Sequence, residues 1–248
     1  MERGRFVVVD GLDGVGKGVF LNTFVEEAQK EGKKIFDVHN FWKSNSFHPA
    51  ADDFISDFTG KIDVLVTSEP TFCGIGKYIR EELIAKNNRS YSPQAVAEAY
   101  ALDRHLLYEQ LLLPVLEAGI DVYQSRSFST SITYQRQSAL DQGQDFTIGQ
   151  IMSIPGNKYC AEHPMDYLVI PTIKDVTEVM QRLADRKKDD NCKFENLDFQ
   201  LKLKPQFESD EFKDLFASLG TKLVYMDAGV SIDYSKQQAR EFYQQHLQ

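Results

Sequence analysis

The chain has 248 residues, of which 42% are hydrophobic and 26% charged, and its formal net charge is −9. These values suit one globular α/β domain with a sizeable core and exclude a disordered chain. They also argue against a nucleic-acid partner, which relies on basic surface, while leaving room for a small anion cradled locally by backbone N–H groups and a few cations.

Apolar, β-branched runs alternate with longer helical patterns along the chain. Residues 6–10 read as a strand, nearly all apolar, as expected of a central buried parallel strand. A helix is expected over 16–31, a strand over 34–38 and another over 64–68. Between those two strands, 40–63 is rich in aromatic, Ser and Asp residues and reads as an insertion, whose Phe41, Trp42 and Phe47 are expected to pack on the sheet edge, with a partner site as the alternative. Helices follow at 76–86 and 93–118, then a strand at 122–125, a helix at 148–154 and a strand at 167–170. The remaining elements are helices at 174–186, 196–206, 209–219 and 231–246 and a strand at 223–226. Such alternation predicts a parallel sheet covered on both faces, in one domain spanning 1–248.

The mixed, dense charges from Asp185 to Glu195 fit either a solvated helix end or a mobile lid carrying cations to a phosphate. Cys73, Cys160 and Cys192 are odd in number and widely spaced, which supports neither a disulfide framework nor a zinc site. The first residues lack the apolar stretch of a signal peptide, and no apolar run approaches the ~20 residues of a membrane span. A cytoplasmic chain without membrane contact is the expectation.

The strongest motif is Gly11-Leu12-Asp13-Gly14-Val15-Gly16-Lys17, between a buried strand and an amphipathic helix. This is the setting of a phosphate-binding loop. Gly11, Gly14 and Gly16 let the backbone N–H groups of the loop, with those of Val15, Gly18 and Val19, turn toward an anion at a helix N-terminus. Lys17 supplies a point charge for the β- and γ-phosphates. The usual Ser or Thr after the lysine, a Mg²⁺ ligand, is replaced by Gly18, with Val19 next.

From Phe6 to Phe20 the chain resembles the thymidylate kinases, and four further segments fall in that family's order. Ser68-Glu69-Pro70, running into a helix with Arg80, looks like its Arg-Glu-Pro segment, and Tyr100 with Arg104 like its aromatic-x-x-x-Arg helix. Ser125-Arg126, continuing to Tyr134-Gln135, looks like its Asp-Arg-aromatic segment. Lys193-Phe194-Glu195 looks like the Arg-Phe-Glu after its lid.

The resemblance implies a P-loop NTPase fold with a five-stranded parallel sheet flanked by helices on both faces. It also implies a lid at about 185–195, a homodimer, and transfer of the γ-phosphoryl group of ATP to dTMP with Mg²⁺. Asp13 would then meet the acceptor sugar, and Arg80 the acceptor side. Tyr100 would stack on the base and Arg104 donate to it, since i,i+4 spacing puts both on one helix face. Ser131 and Gln135 would read the base edge, and Tyr134 would crowd a ribose 2′-hydroxyl. Arg126, just past a strand's C-terminal end, suits a phosphate by bidentate contact. The family's loop arginine is Gly14 here, so the catalytic cation would come from Arg186, Lys187, Lys188 or Lys193, with Arg186 favoured. Ser68, Ser125, Lys193 and Gly18 depart from the family pattern. Asp10 and Glu69 are the carboxylates left to hold Mg²⁺ through water. A kinase for another deoxynucleotide and a catalytically weak nucleotide-binding protein remain as alternatives.

Overall fold

A computed structural model describes residues 2–55, 61–184 and 192–248. Its first elements are β1 (Phe6–Val9), α1 (Lys17–Lys30), β2 (Ile35–Asp37), α2 (Val38–Trp42), α3 (Asp52–Ile55) and β3 (Val64–Ser68). Next come α4 (Gly74–Tyr78), α5 (Pro93–Leu107), α6 (Leu113–Glu117), β4 (Asp121–Ser125), α7 (Phe128–Thr130), α8 (Arg136–Asp141), α9 (Ile148–Ser153) and α10 (Pro155–Glu162). The chain continues through β5 (Tyr167–Thr172), α11 (Thr177–Ala184), α12 (Leu197–Glu208), α13 (Asp210–Ser218), β6 (Lys222–Asp227) and α14 (Ile232–His246). Wide π turns extend α4 through Ile79–Leu83, join α5 to α6 through Tyr108–Leu112, and join α7 to α8 through Ser131–Gln135.

All six strands pair in parallel, in the order β2-β3-β4-β1-β5-β6. The expectation of five strands is thereby corrected to six. Each apolar run read from the sequence finds a partner: short, half-exposed β2 closes one edge on β3, and β6 pairs along the whole of β5 at the other. Every residue of β1 and β3 is buried, as a sheet covered on both faces requires.

The predicted helix over 93–118 is interrupted by the π turn because Pro114 lacks an N–H and crowds the carbonyl four residues back. Ser92 caps its start with Pro93 in the first turn. Four helical stretches were not expected: α2, α3, the run from α7 to α8, and α10. Trp42 is buried as predicted for the insertion and Phe41 is partly so, but Phe47 is 60% exposed and rests only its edge near Phe41.

Register brings the chemistry to one edge. Val9 and Ser68 both lie opposite Ser125, so β1, β3 and β4 end level with one another. Asp10, Glu69 and Arg126 are the next residues of those three strands. The ladder carries one bond further at each: Asp10 N–H donates to Val169 O, Glu69 N–H to Ser125 O and Arg126 N–H to Val9 O. The order also reverses at β1, and ligands of open α/β sheets bind outside such a switch point.

Candidate active site

Residues 10–16 curl between β1 and α1, with Gly11, Gly14 and Gly16 at positive φ. Position 14 demands glycine twice over: φ is +75°, and an added Cβ would lie 2.7 Å from Leu183 Cγ and 2.9 Å from Val179 O. Helix α11 therefore sits directly on the loop, and an arginine at 14 has no room. From the same helix Arg182 reaches Val15 O at 3.5 Å. A Cβ at Gly18 would meet nothing within 4 Å. Lys17 Nζ donates to Gly11 O at 3.0 Å and Leu12 O at 2.7 Å and lies 3.7 Å from Asp13 Oδ1. It thus spans the loop that it would leave for a phosphate.

Arg126 is the one non-glycine residue at positive φ among those described (φ 68°). That backbone turn aims its guanidinium across the loop. It pairs with Asp13, lies 3.8 Å from Asp10 Oδ1, donates to Thr130 Oγ1 at 3.3 Å and sits 5.1 Å over the Tyr134 ring. Burial works against its charge, but Asp13, Tyr134 and Asp10 outweigh it, so the guanidinium titrates well above its ordinary value. Asp10 accepts from Gly11 N–H, from Thr130 Oγ1 and from Ser129 Oγ. Gln200 on α12 accepts from Asp13 N–H at 2.9 Å and donates to Asp13 Oδ2 at 3.4 Å.

A cavity of about 630 Å³ opens beside this cluster, within the size range of small-molecule sites. Asp13, Arg80, Tyr100, Arg126 and Tyr134, predicted from four separate segments, all line it. Cys192, Phe194 and Glu195 complete one wall, and Lys193 N–H bonds to Ile84 O, tying that segment to the end of the α4 π turn. Arg80 donates to Pro70 O and Thr71 O with its guanidinium 3.7 Å over the Phe72 ring. Thr71 is fixed by Asp103, at 2.8 Å from its N–H and 2.7 Å from its hydroxyl.

Three predicted base-reading residues lie elsewhere. Arg104 is fully buried, 2.6 Å from Glu69 Oε2, and also donates to Asn157 and Ser131. Glu69 further accepts from Gln124 at 3.0 Å. Burial pushes the Glu69 carboxyl up to about 7, with Arg104 opposing that rise. Ser131 and Gln135 are buried too, and neither amide atom of Gln135 has a hydrogen-bond partner. None of the three is among the cavity's lining residues. Lys193 Nζ donates to Leu83 O at 2.7 Å and does not line it either. Arg186, Lys187 and Lys188 lie outside the described residues.

Several contributors were missed from sequence. Gln200, Asn157, Gln124 and Phe72 carry no motif; only their burial and bonding reveal them. Arg182 had a signal, being a basic residue on the helix expected over 174–186.

The sequence profile of the thymidylate kinases matches residues 56–238. The chain belongs to the thymidylate kinase family. The thymidylate kinase of Exiguobacterium sp. (strain AT1b) is 24% identical over 245 residues, covering 99% of this chain and 96% of that one. A probable thymidylate kinase of Pyrococcus abyssi is 31% identical over 137 residues, 54% of this chain and 52% of its own length. Among solved structures, the thymidylate kinase of Candida albicans superposes with a TM-score of 0.63 at 18% identity. That superposition covers 99% of this chain and 93% of the other, which supports the P-loop NTPase fold.

Within this thymidylate kinase framework, the departures have definite surroundings. Ser68 Oγ lies 2.7 Å from His39 Nε2, and His39 Nδ1 lies 2.5 Å from Asp37 Oδ1. A histidine thus closes the place where the family carries arginine. Ser125 stands level with Val9 and Ser68 at the sheet edge.

Proposed function

We propose that the protein transfers the γ-phosphoryl group of ATP to dTMP, giving dTDP and ADP. The observation that carries this reading is Arg126, which bridges the phosphate loop through Asp13 while facing the cavity that holds Tyr100 and Arg80. Donor and acceptor phosphates would meet at that guanidinium.

The acceptor phosphate is anionic at neutral pH, so the reaction demands no general base. Alignment and charge neutralisation are the work required. Loop N–H groups and Lys17 take the donor phosphates once Lys17 leaves the Gly11 and Leu12 carbonyls. Arg126 takes the acceptor phosphate, Tyr100 faces the base, Tyr134 and Asp13 face the sugar, and Arg80 flanks the acceptor. Arg104, Ser131 and Gln135 shape the base end from behind, and Gln135 still has its amide to offer. Arg186, with Lys193 behind it, would supply the last cation from a lid at 185–195.

The chain's own carboxylates do not fit a direct Mg²⁺ site. Asp10 is taken up by Gly11, Ser129 and Thr130, Glu69 by Arg104 and Gln124, and Gly18 has no side-chain oxygen. Among the described residues no group of three His, Cys, Asp or Glu converges. Mg²⁺ therefore enters as part of the Mg·ATP substrate, held by phosphates and water.

No helix among the described residues is long and apolar enough to cross a membrane. We place the enzyme in the cytoplasm as a homodimer, without a nucleic-acid partner. Incubation with Mg·ATP and dTMP, followed by separation of the nucleotides, tests the reaction. dTDP should accumulate in step with ADP, and ATP consumption without dTDP would refute it.

A further inference from the structure

A second cavity, of about 610 Å³, lies next to the first and is formed largely by the insertion. His39, Trp42, Lys43, Asn45, Lys77 and Arg80 are among its lining residues. Both cavities use Phe72, Arg80 and Glu81, so they meet at one set of side chains. The catalytic reading above gives this space no task.

Its chemistry is one-sided. Three cations, Lys43, Lys77 and Arg80, face one carboxylate, Glu81, in a chain of net charge −9. Lys77 is exposed and 3.9 Å from Glu81, and Lys43 donates to Asn40 Oδ1 at 3.0 Å with the Asp37 carboxylate acting on its charge. Trp42, 97% buried, supplies aromatic surface to the cavity. The Ser–His–Asp chain holds the His39 ring against Trp42, with ring centroids 5.5 Å apart. Three cations and aromatic surface in one cavity of ligand size suit an acceptor-rich anion with room for a planar group.

We propose that this cavity binds a polyphosphate ligand, either a nucleoside triphosphate or a free phosphate chain. Lys43 and Lys77 are its point charges, and Trp42 and His39 its aromatic wall. Because Arg80 belongs to both cavities, an occupant here acts on the acceptor side of the first. The proposal stands apart from the kinase reading, since none of Trp42, Lys43 and Lys77 is part of the phosphoryl-transfer site.

Trp42 is the only tryptophan in the chain, so its emission reports on this cavity. The test titrates sodium tripolyphosphate and, separately, ATP into the full chain while following that emission. Lys17→Ala removes the phosphate-loop cation, and a Lys43→Ala/Lys77→Ala variant removes those of the second cavity. A saturable change should persist in Lys17→Ala and shift at least ~10-fold to weaker binding in Lys43→Ala/Lys77→Ala. The thermal midpoint and basal turnover of the double variant should match those of the parent. ATP acting at lower concentration than tripolyphosphate marks a nucleotide as occupant, and equal potency marks the phosphate chain. Absence of any change, loss of it in Lys17→Ala, or its survival in Lys43→Ala/Lys77→Ala would each overturn the proposal. Turnover with dTMP is read separately, so a failed kinase reading and an empty cavity give different results.

Discussion

Lys17 spans its own loop by bonds to Gly11 O and Leu12 O, which the proposed reaction would exchange for the donor phosphates. Lys17→Ala should lower turnover on the order of 10²–10³-fold while leaving the fold intact, as steady-state kinetics beside a melting curve would show. Gly18→Ser meets open space and replaces glycine within a helix, so it should keep or slightly raise stability. The hydroxyl would also restore an oxygen for the metal of Mg·ATP, and the half-saturating Mg²⁺ concentration should fall. The insertion offers a separate titration test. Burial pushes the His48 imidazole down to about 4, so this histidine folds neutral. Between the ordinary histidine value of ~6.5 and about 4 the unfolded chain binds the extra proton, so stability falls as pH falls through that window. His48→Asn should flatten this acid slope by about 2–3 kcal/mol in denaturant melts. At this scale the sequence was readable where a motif fixes the backbone, as at residues 11–17, and where an arginine follows a strand, as at Arg126. It was silent where partners are remote: nothing around Arg104 announces that Glu69 and Asn157 close over its guanidinium.

Between elements, the contact of greatest consequence is α11 on the phosphate loop. Gly14→Ala would push Leu183 and the Val179 carbonyl aside from a left-handed backbone position. It should cost about 1–3 kcal/mol and weaken ATP binding together with stability, a pairing that calorimetry and melting can check side by side. The Arg104–Glu69 pair joins α5 to the end of β3 in the same way. Arg104→Leu leaves a buried carboxylate without its cation and should cost about 3–5 kcal/mol, of which adding Glu69→Gln should return a large part. Long amphipathic helices and apolar strands were legible because period and caps agree, as at Ser92-Pro93. The stretch from α7 to α8 was not, since its Ser and Thr residues weaken helix propensity and its π turn breaks the apolar period. Helix α10 hid behind Pro155 and Gly156, which read as a break. The glycine is needed because a Cβ there would lie 2.1 Å from Ala101 O on α5.

For the molecule as a whole, the class of fold was legible and the strand count was not. Six apolar runs were visible, yet the family resemblance argued for five, and the hydrogen-bonded edges decide in favour of the runs. The same register sets Asp10, Glu69 and Arg126 side by side at the sheet edge, which no single motif contains. In the proposed reading, phosphate loop, Arg126 and the adjoining cavity form one site with a donor end and an acceptor end. The measurement that tests this account most directly is kcat/KM for ADP formation from Mg·ATP with dTMP, dUMP, dCMP, dGMP and AMP offered separately. The account predicts turnover with dTMP well above that with every other acceptor, accompanied by dTDP. ATP binding without turnover on any acceptor would contradict it, and would mean that Gly18 and Ser125 have left a nucleotide-binding protein in place of a kinase.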